Sequence, residues 1–226
     1  MEKIIEYLNL DECSINHETI GRSGDQVLRV VYNNEVCFLK ISSKAQTSNI
    51  KILSFLDNKK IKTPKLIKHG KIEENYYLLM SSCKGEMSHE INPEVAVKIL
   101  AKGLKEIHAL SHDDFDLVRD FNYYQNLCSK KDVNLIDTIN FDEDLVFTHG
   151  DYSLPNILIE GDDYSFVDLD NASITNKYFD IVDCIWSINY NFKEQKYVEL
   201  FKQEYGLAEN DQTKIDFVRN IGDMIY

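Results

Sequence analysis

The residues best suited to chemistry form one short constellation: His149-Gly150-Asp151, then Asn156 five positions after Asp151, then Asp168 closing the run Tyr164-Ser165-Phe166-Val167. A carboxylate that can orient a hydroxyl, with an amide and a second carboxylate that can hold a divalent cation through oxygen, makes up the polar equipment for moving a phosphoryl group from a nucleotide. Such transfer passes through a loose transition state, so alignment and charge neutralisation matter more than a strong base. Asp151 is therefore the candidate to meet the acceptor hydroxyl, and Asn156 and Asp168 are the candidate ligands for Mg2+. His149 is open to two readings, a general base or an inward side chain that fixes the loop, and its place before Gly150 favours the second. Asp170 is either a supporting acid or an exposed one.

The elements that must position these groups can be read around them. Pro155 restricts Leu154 to extended backbone, which keeps Asp151 and Asn156 on one loop. Glu160-Gly161-Asp162-Asp163 predicts a turn between two strands, and so a hairpin that carries Asp168 to the side of that loop. Upstream, Asn92-Pro93-Glu94 predicts a helix start, with a capping amide, Pro in the first turn and an acid at the positive end. Its apolar residues run through Ile99, Leu100, Leu104 and Ile107, with His108 on the buried side as a packing histidine. A further helix is expected over 118–131 and an apolar patch at Leu135, Ile136 and Ile139. From Asp180 to the end the pattern is helical, with Ile181, Cys184, Ile185 and Ile188 on one face and Trp186 and Tyr190 as packing or cleft aromatics.

The first eighty residues read differently. A short helix over 2–10 precedes a strand from Val27 to Val31, a turn at Asn33-Asn34 and the strand Val36-Cys37-Phe38-Leu39-Lys40-Ile41. Gly21 and Ser23 lie in a loop whose backbone N–H groups and hydroxyl could approach phosphate, and a plain hairpin turn is equally consistent with it. Lys40 is a cation in an apolar strand, costly to bury unless paired; it either faces a cleft and holds phosphates or lies exposed on an edge. A helix over 45–60 and strands at 65–69 and 76–80 complete a small antiparallel sheet. Ser81, Ser82, Cys83 and Lys84 read as a hinge, in which the backbone of Ser81, Ser82 and Cys83 could meet an adenine edge, or as a plain linker.

At 226 residues the chain suits one domain or two small lobes. Residues 1–80 carry 12 Lys and Arg against 10 Asp and Glu, and residues 81–226 carry 13 against 28. That break supports a boundary near residue 81, with a nucleotide-binding lobe over 1–80, a hinge at 81–84 and a helical lobe over 85–226. The net charge of -13 disfavours a nucleic-acid partner. No apolar run approaches the length of a membrane span, and five widely spaced cysteines predict free thiols rather than a disulfide framework or zinc site. A cytoplasmic monomer is the expectation.

The text His149-Gly150-Asp151 with Asn156, then Val167-Asp168, then Asn176-Lys177-Tyr178-Phe179-Asp180-Ile181, resembles the aminoglycoside phosphotransferase family, above all the aminoglycoside 3'-phosphotransferases. Flanking similarity at Phe38-Leu39-Lys40-Ile41, Thr63-Pro64-Lys65-Leu66, Leu78-Leu79-Met80 and Tyr197-Val198-Glu199-Leu200-Phe201 extends it over nearly the whole chain. The resemblance implies an α+β, two-lobed protein-kinase-like fold, a small antiparallel-sheet N-lobe and a mostly helical C-lobe. It implies Asp151 as catalytic aspartate, Asn156 and Asp168 as magnesium ligands, Lys40 as the phosphate-holding lysine and Asp180 as a structural aspartate. It also implies ATP or GTP as donor and a small, polar or cationic acceptor held by acids on late helices, with Glu199, Asp223 and the carboxylate of Tyr226 as candidates.

Two features depart from that pattern. No Asp or Glu lies between Glu35 and Asp57, so the helix acid that normally pairs with the strand lysine is missing; Asn49 or a carboxylate from elsewhere would have to serve. Asn171 and Asn176 stand where an arginine and an acid commonly follow the metal aspartate. Two alternatives therefore accompany a phosphotransferase: a weakly active or inactive kinase-like sensor that binds nucleotide, and a choline-type or other amino-alcohol kinase.

Overall fold

Ile4, Ile5 and Leu8 turn one side of the first helix, α1 (Glu2–Leu8), inward, and Leu10 just beyond it is buried as well, as the pattern over 2–10 predicts. The computed structural model describes residues 1–10, 16–20 and 25–225, divided into two compact units, Met1–Lys84 and Gly85–Tyr226. Gly21, Ser23 and Tyr226, three of the candidate binding residues, lie outside the described residues.

In the first unit, β1 (Asn16–Ile20), β2 (Gln26–Tyr32), β3 (Glu35–Ser42), β4 (Leu66–Ile72) and β5 (Asn75–Ser81) form one antiparallel sheet in the order β1-β2-β3-β5-β4. Asn33 and Asn34 both adopt positive φ, 52° and 66°, the two left-handed residues that a tight two-residue hairpin turn needs. That turn pairs Tyr32 with Glu35 and fixes the register down to Gln26 opposite Ile41. Leu28 and Val30 of β2, Cys37, Leu39 and Ile41 of β3 and Tyr77 and Leu79 of β5 then share a core with α1. Helix α2 (Thr47–Asn58) buries Ile52, Leu53, Phe55 and Leu56. Two sequence boundaries shift. β4 extends through Ile72, beyond the expected 65–69, because the turn to β5 waits for Glu73 with its positive φ of 53°. Ser81, expected in the hinge, is the last residue of β5.

The second unit begins with the two-residue strand β6 (Glu86–Met87), followed by α3 (Pro93–His108) and α4 (Phe121–Ser129). The Asn92 side chain caps α3, its Oδ1 accepting from the N–H of Glu94 (3.0 Å) and Val95 (3.3 Å). α4 is shorter than 118–131, since Asp120 caps it by accepting from the Tyr123 N–H at 2.9 Å. Next come β7 (Leu145–Thr148), β8 (Ile157–Glu160), β9 (Asp163–Phe166) and β10 (Ser173–Asn176). β8 pairs with β6 and β9, and β7 pairs with β10. α5 (Tyr178–Phe192), α6 (Gln195–Tyr205) and α7 (Asp211–Ile225) complete the unit. Leu135 and Ile139 are buried, but Ile136 of the same expected patch is 66% exposed. On the open side of α5, Trp186 and Tyr190 stack with ring centroids 5.2 Å apart and planes 10° from parallel. An antiparallel sheet with one main helix followed by a mostly helical unit is the α+β architecture expected.

Candidate active site

β7 delivers the chain to His149 from the interior, and the next six residues form a loop whose backbone is pinned from several sides. Asp180, fully buried at the start of α5, accepts from the His149 N–H through Oδ2 (2.7 Å) and from the Gly150 N–H through Oδ1 (2.8 Å). His108, at the end of α3, places Nε2 3.2 Å from the same Oδ2 and Nδ1 2.7 Å from the Tyr205 hydroxyl. Further along, the Leu154 N–H donates to Ser187 Oγ (3.0 Å), while Ser88 Oγ donates to the Leu154 carbonyl (2.7 Å). The Tyr152 hydroxyl donates to the Leu100 carbonyl of α3 at 2.8 Å. Charge-assisted bonds from two successive amides to one buried carboxylate are stronger than neutral ones, so Asp180 is the main fastening.

Gly150 is required by its surroundings. Its φ is 81°, and a Cβ there would lie 2.3 Å from the Asn171 carbonyl oxygen. This close approach brings residues 150 and 171 together, and with them the loop and the segment after Asp168.

Asp151 is bonded to Asn156, and Asn156 to Val167, the residue before Asp168. Asn156 Nδ2 donates to the Asp151 carbonyl (3.0 Å), and the Val167 N–H donates to the Asn156 carbonyl (2.9 Å). Because Nδ2 faces Asp151, Oδ1 is the amide atom available to a cation. The hairpin pairs Ile157 with Phe166 and closes at Glu160 and Asp163 as its Gly-Asp turn predicts, which sets Asp168 two residues past the ladder. Asp168 is exposed and has φ 58°, an uncommon left-handed setting for a non-glycine residue. The oxygen donors of Asn156 and Asp168 suit a hard cation such as Mg2+, with phosphate and water completing its shell. Among the described residues no cluster of three or more His, Cys, Asp or Glu forms a metal site, which is compatible with a site of only two protein ligands.

His149 is fully buried, its Nδ1 accepting the Asp151 N–H at 3.3 Å. Burial pushes its pKa below the usual value against the pull of Asp180, Asp151 and Asp168, so the ring stays neutral near pH 7. Asp183, one turn after Asp180 on α5, is pushed up to about 8 by burial and then by the charges of Asp180 and Asp151. It lies between the two α5 residues that grip the loop, Asp180 and Ser187.

In the first unit, Lys40 is buried, with Nζ 3.2 Å from Asp25 Oδ2. Asn49, the expected position of the missing acid, donates to Gln46 Oε1 at 2.7 Å instead. The N–H of Ser81 donates to the Lys65 carbonyl (2.9 Å) and that of Ser82 to the Val36 carbonyl (3.3 Å), so both donors are committed within the unit.

The remaining candidates bond elsewhere. Glu199 is exposed on α6 and holds Gln195 Nε2 (2.8 Å) and Lys202 Nζ (3.6 Å), and Asp223 is exposed on α7. Asn176 is fully buried, donating to the Phe141 carbonyl (2.8 Å) and accepting from the Tyr178 N–H (3.1 Å), a role inside the fold and not at an acceptor. Asp25, Asp183 and Ser187 were not found from the sequence. Only Asp25 had a usable signal, since it stands two residues before the strand position opposite Lys40.

A model of the phosphotransferase enzyme family matches residues 132–217, a span from before β7 into α7. An aminoglycoside 3'-phosphotransferase of Niallia circulans is 31% identical to the chain, covering 96% of it and 94% of the relative. One from Campylobacter jejuni is 27% identical, covering 96% and 97%. Among solved structures, aminoglycoside phosphotransferase APH(3'')-Id from Streptomyces rimosus, in complex with ADP and streptomycin, gives a TM-score of 0.75 at 17% identity, with 100% of each chain covered.

Proposed function

The chain belongs to the aminoglycoside phosphotransferase family, whose members are phosphotransferases of protein-kinase-like fold, and we propose that it moves the γ-phosphoryl group of ATP or GTP to a hydroxyl of a small, polar, cationic acceptor such as an aminoglycoside. The observation that carries this reading is the bonded sequence from the Asp151 carbonyl to the Asn156 amide and from the Asn156 carbonyl to Val167, next to Asp168.

Asp151 aligns the acceptor hydroxyl and takes its proton as the new O–P bond forms and the bridging P–O bond breaks, releasing ADP or GDP. Asn156 Oδ1 and Asp168 would hold Mg2+, which when bound neutralises charge on the phosphates. Lys40 is the lysine we assign to nucleotide phosphates, and the base is assigned to the backbone of residues 81–83, through groups other than the committed N–H donors of Ser81 and Ser82. His149, neutral and bonded to the Asp151 amide, shapes the loop and takes no proton from the acceptor. The relatives named as aminoglycoside 3'-phosphotransferases support an aminoglycoside as acceptor; Glu199 and Asp223, occupied or exposed on their own helices, add little to it. A weakly active nucleotide-binding sensor is the second reading, and the Asp25 carboxylate beside Lys40 counts against it.

The test is a product screen of aminoglycosides, choline, sugars and amino alcohols with ATP and with GTP, run on the wild type and on Asp151→Ala. Transfer should fall at least 100-fold in the variant, the usual scale for a positioned acid or base, with nucleotide affinity retained. Unchanged turnover in Asp151→Ala would refute the assignment.

A further inference from the structure

Lys40 and Asp25 form an ion pair that neither strand would display without their shared register. β2 and β3 pair Val27 with Lys40, and Asp25 stands two residues before Val27. Side chains two apart on a strand point to the same face, so Asp25 and Lys40 are diagonal neighbours, within reach of a long side chain. Leu28, Leu39 and Ile41 project to the opposite face, into the core shared with α1. The two charged side chains are only 8% and 13% exposed, with Nζ and Oδ2 3.2 Å apart. α2 carries no acid before its last turn, since no Asp or Glu lies between Glu35 and Asp57, and Asp57 pairs with Lys65.

We propose that Asp25, the residue just before β2, is the positioning residue for Lys40, a carboxylate at the strand's start doing what the missing helix acid would do. The inference rests on Lys40 being the cation that meets the nucleotide phosphates. A buried ammonium with no opposite charge would lose its proton or swing away. Beside the carboxylate it stays charged and is confined to few rotamers, so it reaches a phosphate already oriented. The consequence of the substitution is mechanical. A helix-borne acid meets the lysine only when the helix is docked, whereas Asp25 directly precedes Gln26, whose pairing with Ile41 ends the β2–β3 ladder, so its place beside Lys40 follows from the sheet and not from α2.

A double-mutant cycle on the full chain tests this, with Asp25→Asn, Lys40→Met and the double variant. Transfer to the acceptor found active in the screen is measured alongside urea unfolding, which records any structural damage separately. Each single substitution is expected to lower kcat/KM for ATP by tenfold or more, and the double variant to fall no further than Lys40→Met alone. Asp25→Glu should restore part of the loss. A second readout is labelling of Lys40 by an amine-reactive acylating reagent, followed by mass spectrometry of its peptide; it should speed up several-fold in Asp25→Asn, because the amine is no longer held against the Asp25 carboxylate. Losses that multiply in the double variant, or faster transfer by Asp25→Asn, would overturn the proposal. If Lys40→Met leaves ATP binding and transfer intact, the fault lies with the reading of Lys40 itself, which separates that failure from this one.

Discussion

Replacing Asp180 by Asn is the sharpest probe of how the loop is held. The side chain keeps its shape and loses its charge and one acceptor. Its two oxygens take the His149 N–H at 2.7 Å and the Gly150 N–H at 2.8 Å, with His108 Nε2 at 3.2 Å, and the residue is fully buried. With an amide, one backbone N–H faces an NH2 group, donor against donor. A charge-assisted bond is worth about 1.5–3 kcal/mol and an orphaned buried donor costs about 1–3 kcal/mol, so the change should cost roughly 2–4 kcal/mol, a sizeable part of a typical domain's stability. Urea unfolding measures it, and amide exchange at His149 and Gly150 should quicken. Transfer should drop as well, because Asp151 is the next residue along. A loss below about 1 kcal/mol with unchanged exchange at both amides would refute the claim that Asp180 fastens the loop.

Gly150→Ala should be at least as damaging, by roughly 3 kcal/mol or more, because it combines a left-handed backbone with a Cβ 2.3 Å from the Asn171 carbonyl oxygen; a melting temperature within 2–3 °C of wild type, on the order of 1 kcal/mol or less, would contradict it. Asp183→Asn should flatten the dependence of stability on pH. The acid's folded pKa of about 8 lies above its ordinary 3.8, so the native state binds the extra proton and stability falls as pH rises through that window, by an upper bound of roughly 6 kcal/mol. The variant should therefore melt higher than wild type at pH 8 and close to it at pH 4, and parallel curves would sink the assignment. Ser187→Ala, which orphans the Leu154 N–H, should cost about 1–2 kcal/mol in a urea titration.

The loop and its hairpin were legible because they are local. Asp151 and Asn156 are five residues apart, Pro155 constrains the backbone between them, and Gly161 marks the turn that returns the chain to Asp168. Asn33 and Asn34 announced the β2–β3 hairpin for the same reason. What could not be read depended on residues far apart in the chain. Asp180 meets His149 across 31 positions and Ser187 meets Leu154 across 33, and no periodicity reports which backbone donor a helix acid will find. Asp25 is not legible as the partner of Lys40 because the pairing depends on the register with the strand before Lys40, whereas the customary acid stands on the helix after it. Ser81 falls one element edge from its expected place and Ile136 turns outward from its apolar patch, since neighbouring residues of similar polarity do not show where a strand stops or which side chain turns outward.

Trp186 is the only tryptophan in the chain, and it sits 62% exposed against Tyr190 on the same helix that grips the 149–154 loop through Asp180 and Ser187. The protein thus carries its own optical gauge. Indole emission responds to the polarity and contacts around the ring, so a ligand that settles beside this helix, or a substitution that loosens the loop from it, is registered as a change in colour or brightness without any attached dye.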